Sequence, residues 1–65
     1  MSVPDLPQAE PLPPVGEVAE LYLGNILFAL ERAALSLDAE GKPDDAQFYR
    51  GIGRALAEAH GRQRS

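Results

Sequence analysis

Residues 15–39 have the pattern of one long α-helix that is apolar on two nearly opposite faces. At 100° per residue, one stripe advances in three- and four-residue steps and has the form of an ordinary core face. Its members are Ala19, Leu23, Ile26, Leu27, Leu30, Ala33, Ala34 and Leu37. A second stripe, Leu21, Phe28 and Leu35, repeats every seven residues, about 160° around the helix from the first. Because one neighbouring helix cannot cover both stripes, this helix needs more than one partner.

The chain is too short to gain much stability from a core of its own. It has 65 residues and no cysteine, so neither a disulfide nor a thiolate metal site can stabilise the fold. We therefore expect the chain to gain stability by forming an oligomer. The acidic N-terminus lacks the basic start of a signal peptide, and the longest apolar run, 26–30, is far shorter than a membrane span. These features favour a soluble, cytoplasmic protein without membrane contact.

Residues 1–14 hold five of the six prolines and show no helical pattern, which indicates an extended, Pro-rich arm. Apolar residues recur there at every third position, which is the repeat of a polyproline II helix. They are Val3, Leu6, Ala9, Leu12 and Val15. Such an edge is about as long as the first helix and could lie along it. A disordered tail with chance spacing explains the same residues equally well.

Two helices are predicted, over about 15–40 and 43–60, with a tight connection between them. Gly41 can take the left-handed conformation that ends the first helix, and Pro43 suits the first turn of the second. Gly61 is expected to stop the second helix. The apolar face predicted for the second helix consists of Phe48, Ile52, Ala55, Leu56 and Ala59.

The second helix has two further features. It is predicted to be about seven residues shorter than the first, so residues 15–21 would project beyond it without a partner in the same chain. Gly51 and Gly53 are costly inside a helix and indicate that another backbone comes close. A helix that is simply rich in small residues is the plainer explanation of the two glycines.

We therefore predict an all-α fold. A two-helix hairpin, residues 15–61, dimerises into an antiparallel four-helix bundle, with an extended arm at 1–14 and a basic tail at 62–65. The residues assigned to the core and the dimer contact are Leu23, Ile26, Leu27, Leu30, Leu37, Phe48, Ile52 and Leu56.

No group of residues predicts catalysis. His60 is the only histidine, and its place beside Gly61 suits a side chain that interacts favourably with the end of the helix dipole. A di-iron site in a helical bundle would need a Glu-x-x-His pair, but Ala57 stands three residues before His60. We predict no enzyme activity, no metal and no cofactor.

The net charge of −4 hides an asymmetry, because residues 1–40 are acidic whereas residues 41–65 carry five bases against three acids. The basic side chains that could bind phosphates in a dimer are Arg50, Arg54, Arg62 and Arg64. Glu58 can instead pair with Arg54 on a solvated helix face. A dimeric nucleic-acid-binding regulator is therefore the alternative prediction.

The surplus apolar surface favours a small non-enzymatic interaction protein, such as an adaptor, an accessory subunit or a regulator. In this interpretation the chain binds itself, as a dimer or a larger bundle, and also docks on a larger protein. The residues predicted to bind that partner are Leu21, Phe28 and Leu35 of the second stripe, and Val3, Leu6 and Leu12 of the arm.

Overall fold

The computed structural model describes residues 12–64, which form three α-helices. α1 spans Val15–Leu21, α2 spans Leu23–Ala39 and α3 spans Pro43–Arg64. Residues 12–64 contain no strand, so the prediction of an all-α chain is confirmed. Val3 and Leu6, assigned to the arm's partner-binding edge, lie outside the described residues.

The prediction of one continuous first helix is wrong at Tyr22, which separates α1 from α2. Its φ of −106° and ψ of 20° lie outside the helical range. Helical hydrogen bonds continue on both sides, because the Tyr22 N–H donates to the Val18 carbonyl at 3.1 Å and the Ile26 N–H donates to the Tyr22 carbonyl at 2.9 Å. Gly24 lies in the first turn of α2, and glycine is unfavourable inside a helix. The interruption is thus a local change of dihedral angles, not a loop.

The connection between α2 and α3 has the predicted chemistry. Gly41 has a φ of 77°, the left-handed conformation that glycine adopts without steric cost. The Lys42 N–H donates to the Leu37 carbonyl at 2.8 Å, and the Gly41 N–H donates to the Asp38 carbonyl at 3.0 Å. These two bonds form a Schellman motif, which satisfies carbonyls at the end of α2. Pro43 then begins α3.

The predicted end of the second helix at Gly61 is wrong, because α3 continues to Arg64. Gly41 is the only residue with positive φ among those described, so Gly61 does not take the conformation that terminates a helix. The added turn brings Gln63 beside α1, where its side-chain amide donates to Glu20 Oε1 at 3.2 Å. The start of the first helix, predicted to project without a partner, therefore contacts α3.

α2 and α3 pack side by side in antiparallel directions. Asp38 contacts Arg50 near the connection, Leu27 and Leu30 lie beside Gly53, and Leu23 and Leu56 line one cleft at the far end. The predicted core stripe of α2 does face α3. Ala34 is fully buried, as is Ala46 of α3; the half-buried members are Ala19, Leu23, Ile26, Leu27, Leu30, Ala33 and Leu37. Among the described residues no large side chain is completely buried.

The predicted contact face of α3 is rotated by about 100°, or one residue. Phe48 was expected to pack on the leucine stripe, but 64% of its surface is exposed. Leu56 lies on the side of α3 that meets α2, as predicted, but the other residues of that side are Ala46, Arg50, Gly53 and His60. A Cβ placed on Gly53 would lie only 3.6 Å from Leu27 and 3.8 Å from Leu30. Small residues thus let the helices approach closely, where a phenylalanine would hold them apart. At Gly51 such a Cβ meets nothing within 4 Å, so only Gly53 marks a close approach.

Candidate interaction surfaces

One edge of the α2–α3 contact is closed by ion pairs. Arg50 Nη1 lies 2.9 Å from Asp38 Oδ2, and Arg50 Nη2 lies 3.4 Å from Glu31 Oε2. The hydrogen bond to Asp38, followed by the one to Glu31, raises the pKa of the Arg50 guanidinium above its usual value. Arg50 therefore stays charged at every physiological pH and is held against α2.

This geometry changes the interpretation of the basic residues. Arg50 and Arg54 were expected to share a solvated face of the second helix, but Arg50 is half-buried and turned toward α2, whereas Arg54 is exposed. Two carboxylates already neutralise Arg50. Arg62 is exposed, and the side chain of Arg64 lies outside the described part of the chain. Arg50 is therefore paired with α2, and Arg54 and Arg62 are the exposed arginines among the described side chains of this group.

The far end of the α2–α3 contact holds a shallow cleft of about 130 Å³. It is lined by Gly16, Ala19, Glu20, Leu23, Leu56, Ala59, His60 and Gln63. His60 Nδ1 lies 3.7 Å from Glu20 Oε2 and makes no hydrogen bond. The predicted role of His60 at a helix end is wrong, because α3 continues past it and the ring faces α1. The sequence did not predict the contact with Glu20, because residues 15–21 were expected to project beyond the second helix without a partner in the same chain.

An apolar stripe that runs from the end of α1 along the outer side of α2 is uncovered in the described structure. Leu21, Phe28 and Leu35 expose 73%, 68% and 48% of their surfaces. We call these three residues the outer stripe. Leu12 is also exposed. No residue of 12–64 covers the outer stripe. This agrees with the expectation that one neighbouring helix, here α3, covers only one of the two apolar stripes.

A second apolar surface spans both α2 and α3. Around α2, Ile26 lies about 140° from Glu31, and around α3, Ile52 lies about 160° from Arg50. Both isoleucines therefore lie on the edge of the helix pair opposite the ion pairs. We call this surface the open face; its residues are Tyr22, Ile26, Ala33, Phe48, Ile52 and Ala55. Tyr22 and Phe48 are exposed and the three residues next to the helix contact, Ile26, Ala33 and Ile52, are half-buried.

Comparisons with protein-family models, with curated proteins and with solved structures find no significant match for this chain. Across residues 12–64, no helix is both long enough and apolar enough to cross a membrane. The same residues include no cluster of three or more histidine, aspartate or glutamate side chains placed to hold a metal ion.

Proposed function

We propose that this protein is a small, non-enzymatic protein–protein interaction module that acts as an adaptor, an accessory subunit or a regulator. The proposal rests on the contrast between the small side chains that the chain buries and the large apolar side chains that it exposes. Its fully buried side chains among the described residues are two alanines, whereas large apolar side chains such as Phe28 and Phe48 remain mostly exposed. Exposed apolar surface of this kind is typical of interaction sites.

The proposed assembly unit is a two-helix hairpin that dimerises into a four-helix bundle. A bundle of this kind buries apolar side chains that one helix pair cannot cover. Dimerisation would supply the stability that a 65-residue chain with an alanine core lacks. The Pro-rich arm, residues 1–14, is proposed to extend the surface available to a partner.

The outer stripe is the proposed site for a different, larger protein. Full burial of a leucine or phenylalanine side chain contributes about 1.5–3 kcal/mol. Covering the exposed fractions of Leu21, Phe28 and Leu35 would thus contribute roughly 4 kcal/mol before the costs of association. This amount is sufficient for a docking stripe that works together with further contacts from the partner.

Replacement of Phe28 by aspartate tests the proposal, since a charge in the centre of the outer stripe opposes burial. We expect Phe28→Asp to lose partners that the wild-type chain captures from its source cell, while circular dichroism shows unchanged helicity. Gln47→Asp is the matched control, because it adds the same charge at an exposed position of α3. Equal capture by all three chains would contradict a role for the outer stripe.

The nucleic-acid alternative has a separate test. Binding through α3 would weaken steeply with added salt and with Arg54→Ala combined with Arg62→Ala, because it would depend on phosphate neutralisation. A gel-shift titration with DNA and RNA at low and high salt measures this. Salt-sensitive binding that the two substitutions remove would favour the alternative over the interaction module.

A further inference from the structure

We infer that His60 of α3 and Glu20 of α1 form a pH-sensitive latch. When the imidazole gains a proton, its contact with Glu20 holds α1 against α3, and when the proton leaves, α1 opens more readily. Leu21 lies at the end of α1, so the latch also sets how closely this leucine stays in line with the other two residues of the outer stripe. The latch acts within a single chain and does not depend on the proposed dimer or partner.

α1 has little else to hold it in place within the described part of the chain. It has seven residues, none of which is buried, and a helix this short is not stable alone in water. It ends at Tyr22, whose dihedral angles are not helical, so a further change at this one residue redirects α1 relative to α2. The contacts that α1 makes with α3 therefore decide how often it opens.

The polar contacts between α1 and α3 meet at one carboxylate. Gln63 donates to Glu20 Oε1 at 3.2 Å, and Glu20 Oε2 lies 3.7 Å from His60 Nδ1. This nitrogen is buried and has no hydrogen-bond partner among the described residues, which costs free energy until a partner approaches. A distance of 3.7 Å is too long for a hydrogen bond. The adjoining cleft, about 130 Å³ in volume, gives the two side chains room to close that distance.

Protonation changes this contact in one direction. An imidazolium is a charged donor that faces a carboxylate, and such a pair attracts more strongly than a neutral ring and the same carboxylate. Histidine side chains gain their charge between about pH 8 and pH 5, whereas glutamate side chains are ionised over this range. The docked position of α1 is therefore favoured at the acidic end of the range and becomes less favoured as pH rises.

Glu20 is the charged group that faces the imidazole from the neighbouring helices. On α2 the cleft is lined by Leu23, while Glu31 and Asp38 are bound by Arg50, about 15 Å along α3 from His60. The other charged residues within about one helical turn of the pair are Glu17 on α1 and Glu58, Arg62 and Arg64 on α3. Glu17 is exposed, and Glu58 and Arg62, which carry opposite charges, each lie about 160° from His60 around α3. The side chain of Arg64 lies outside the described residues.

Hydrogen exchange tests the latch. We expect the protection factors of the Val18 and Tyr22 amides, corrected for the intrinsic pH dependence of exchange, to fall by about twofold to fivefold from pH 5.5 to pH 8, as a partly exposed ion pair is lost. Both amides donate to backbone carbonyls in the docked chain. Amides in the middle of α2 are the internal reference, and their protection should change less.

Two neutral substitutions provide the controls. His60→Asn keeps an uncharged donor near the position of Nδ1, and Glu20→Gln keeps an acceptor for Gln63, so each should remove the pH response while circular dichroism shows unchanged helicity. His60 is the only histidine, and the amino terminus is the other group that titrates in this range. Protection of α1 that does not change with pH in the wild-type chain, or a change that persists in either variant, would overturn the latch.

Discussion

Arg50 of α3 and Asp38 of α2 are joined by a 2.9 Å ion pair at one edge of the contact between the two helices. Glu31 approaches the same guanidinium at 3.4 Å from the preceding part of α2. One cation thus holds two acids that lie seven residues, or about two helical turns, apart. The small residues Ala46 and Gly53 lie on the side of α3 that meets α2, and Phe48 lies away from α2 on the open face.

We expect Arg50→Met to lower the thermal midpoint slightly and to increase the exposure of the edge that Arg50 closes. The effect is small because an exposed ion pair gains little in water, and it should shrink further as salt is added. The double-mutant cycle with Asp38→Asn, followed by circular dichroism, isolates the contribution of the pair. Strictly additive effects of the two substitutions would contradict a direct interaction.

The stability that Arg50 adds to the folded chain through its ion pair should not change between pH 7 and pH 10. Because the pKa of Arg50 is raised, its stabilising effect is fully present below the ordinary pKa of arginine and is lost only as pH rises through the still higher pKa of the folded chain. Denaturation midpoints of the wild-type chain and Arg50→Met, compared at pH 7 and pH 10, measure this. A difference that disappears by pH 10 would contradict an ion pair whose cation is a guanidinium that stays charged across this range.

Gly53→Ala is expected to stabilise the chain by about 1 kcal/mol, because alanine favours a helix over glycine by that amount. Its methyl group would meet Leu27 and Leu30 at 3.6 and 3.8 Å, which is ordinary contact. Gly53→Leu should destabilise the chain, since a larger side chain must separate α2 from α3. Urea denaturation measures both changes, with Gly51→Ala as the control for helix propensity alone. Equal stability of the alanine and leucine variants would contradict the close approach.

Gly41→Ala should destabilise the chain by about 1–2 kcal/mol, because the left-handed conformation strains a residue with a Cβ atom. The φ of 77° at Gly41 is the basis of this expectation, since a Cβ there would meet nothing within 4 Å. Gly16→Ala is the control, because Gly16 lies in α1 with similar space around it. Denaturation midpoints that fall equally in both variants would show that the conformation of Gly41 is not the cause.

Glu20→Ala should loosen α1 without unfolding α2 and α3. Glu20 accepts a hydrogen bond from Gln63 at 3.2 Å and lies 3.7 Å from the ring of His60. Hydrogen exchange should therefore accelerate several-fold at the amides of α1 and change little in the middle of α2. Glu17→Ala, one turn earlier on the same helix, is the matched control. Equal acceleration along the whole chain would show a global loss of stability.

The sequence predicts local structure well where one residue decides the conformation. Gly41 and Pro43 fix the connection because their backbone preferences dominate, and the leucine stripe of α2 follows directly from helical periodicity. The facing side of α3 could not be predicted in this way. Periodicity assigned the largest apolar side chain, Phe48, to the contact, whereas close packing of the helices selects Ala46 and Gly53.

The contact between Glu20 and His60 also could not be predicted from the sequence. Gly61 resembles a helix stop, but glycine ends a helix only where the chain turns into the left-handed conformation. Here nothing requires that turn, and the extra residues of α3 contact α1 instead. The interruption at Tyr22 carries no sequence signal stronger than the nearby Gly24.

The mass of the whole chain in solution tests most directly the claim that its exposed apolar surface binds a second copy. Sedimentation equilibrium over a range of concentrations should give twice the chain mass of 7.0 kDa, and Ile52→Asp on the open face should shift the mass toward one chain while Gln47→Asp leaves it unchanged. A wild-type mass of one chain at every concentration would contradict this account.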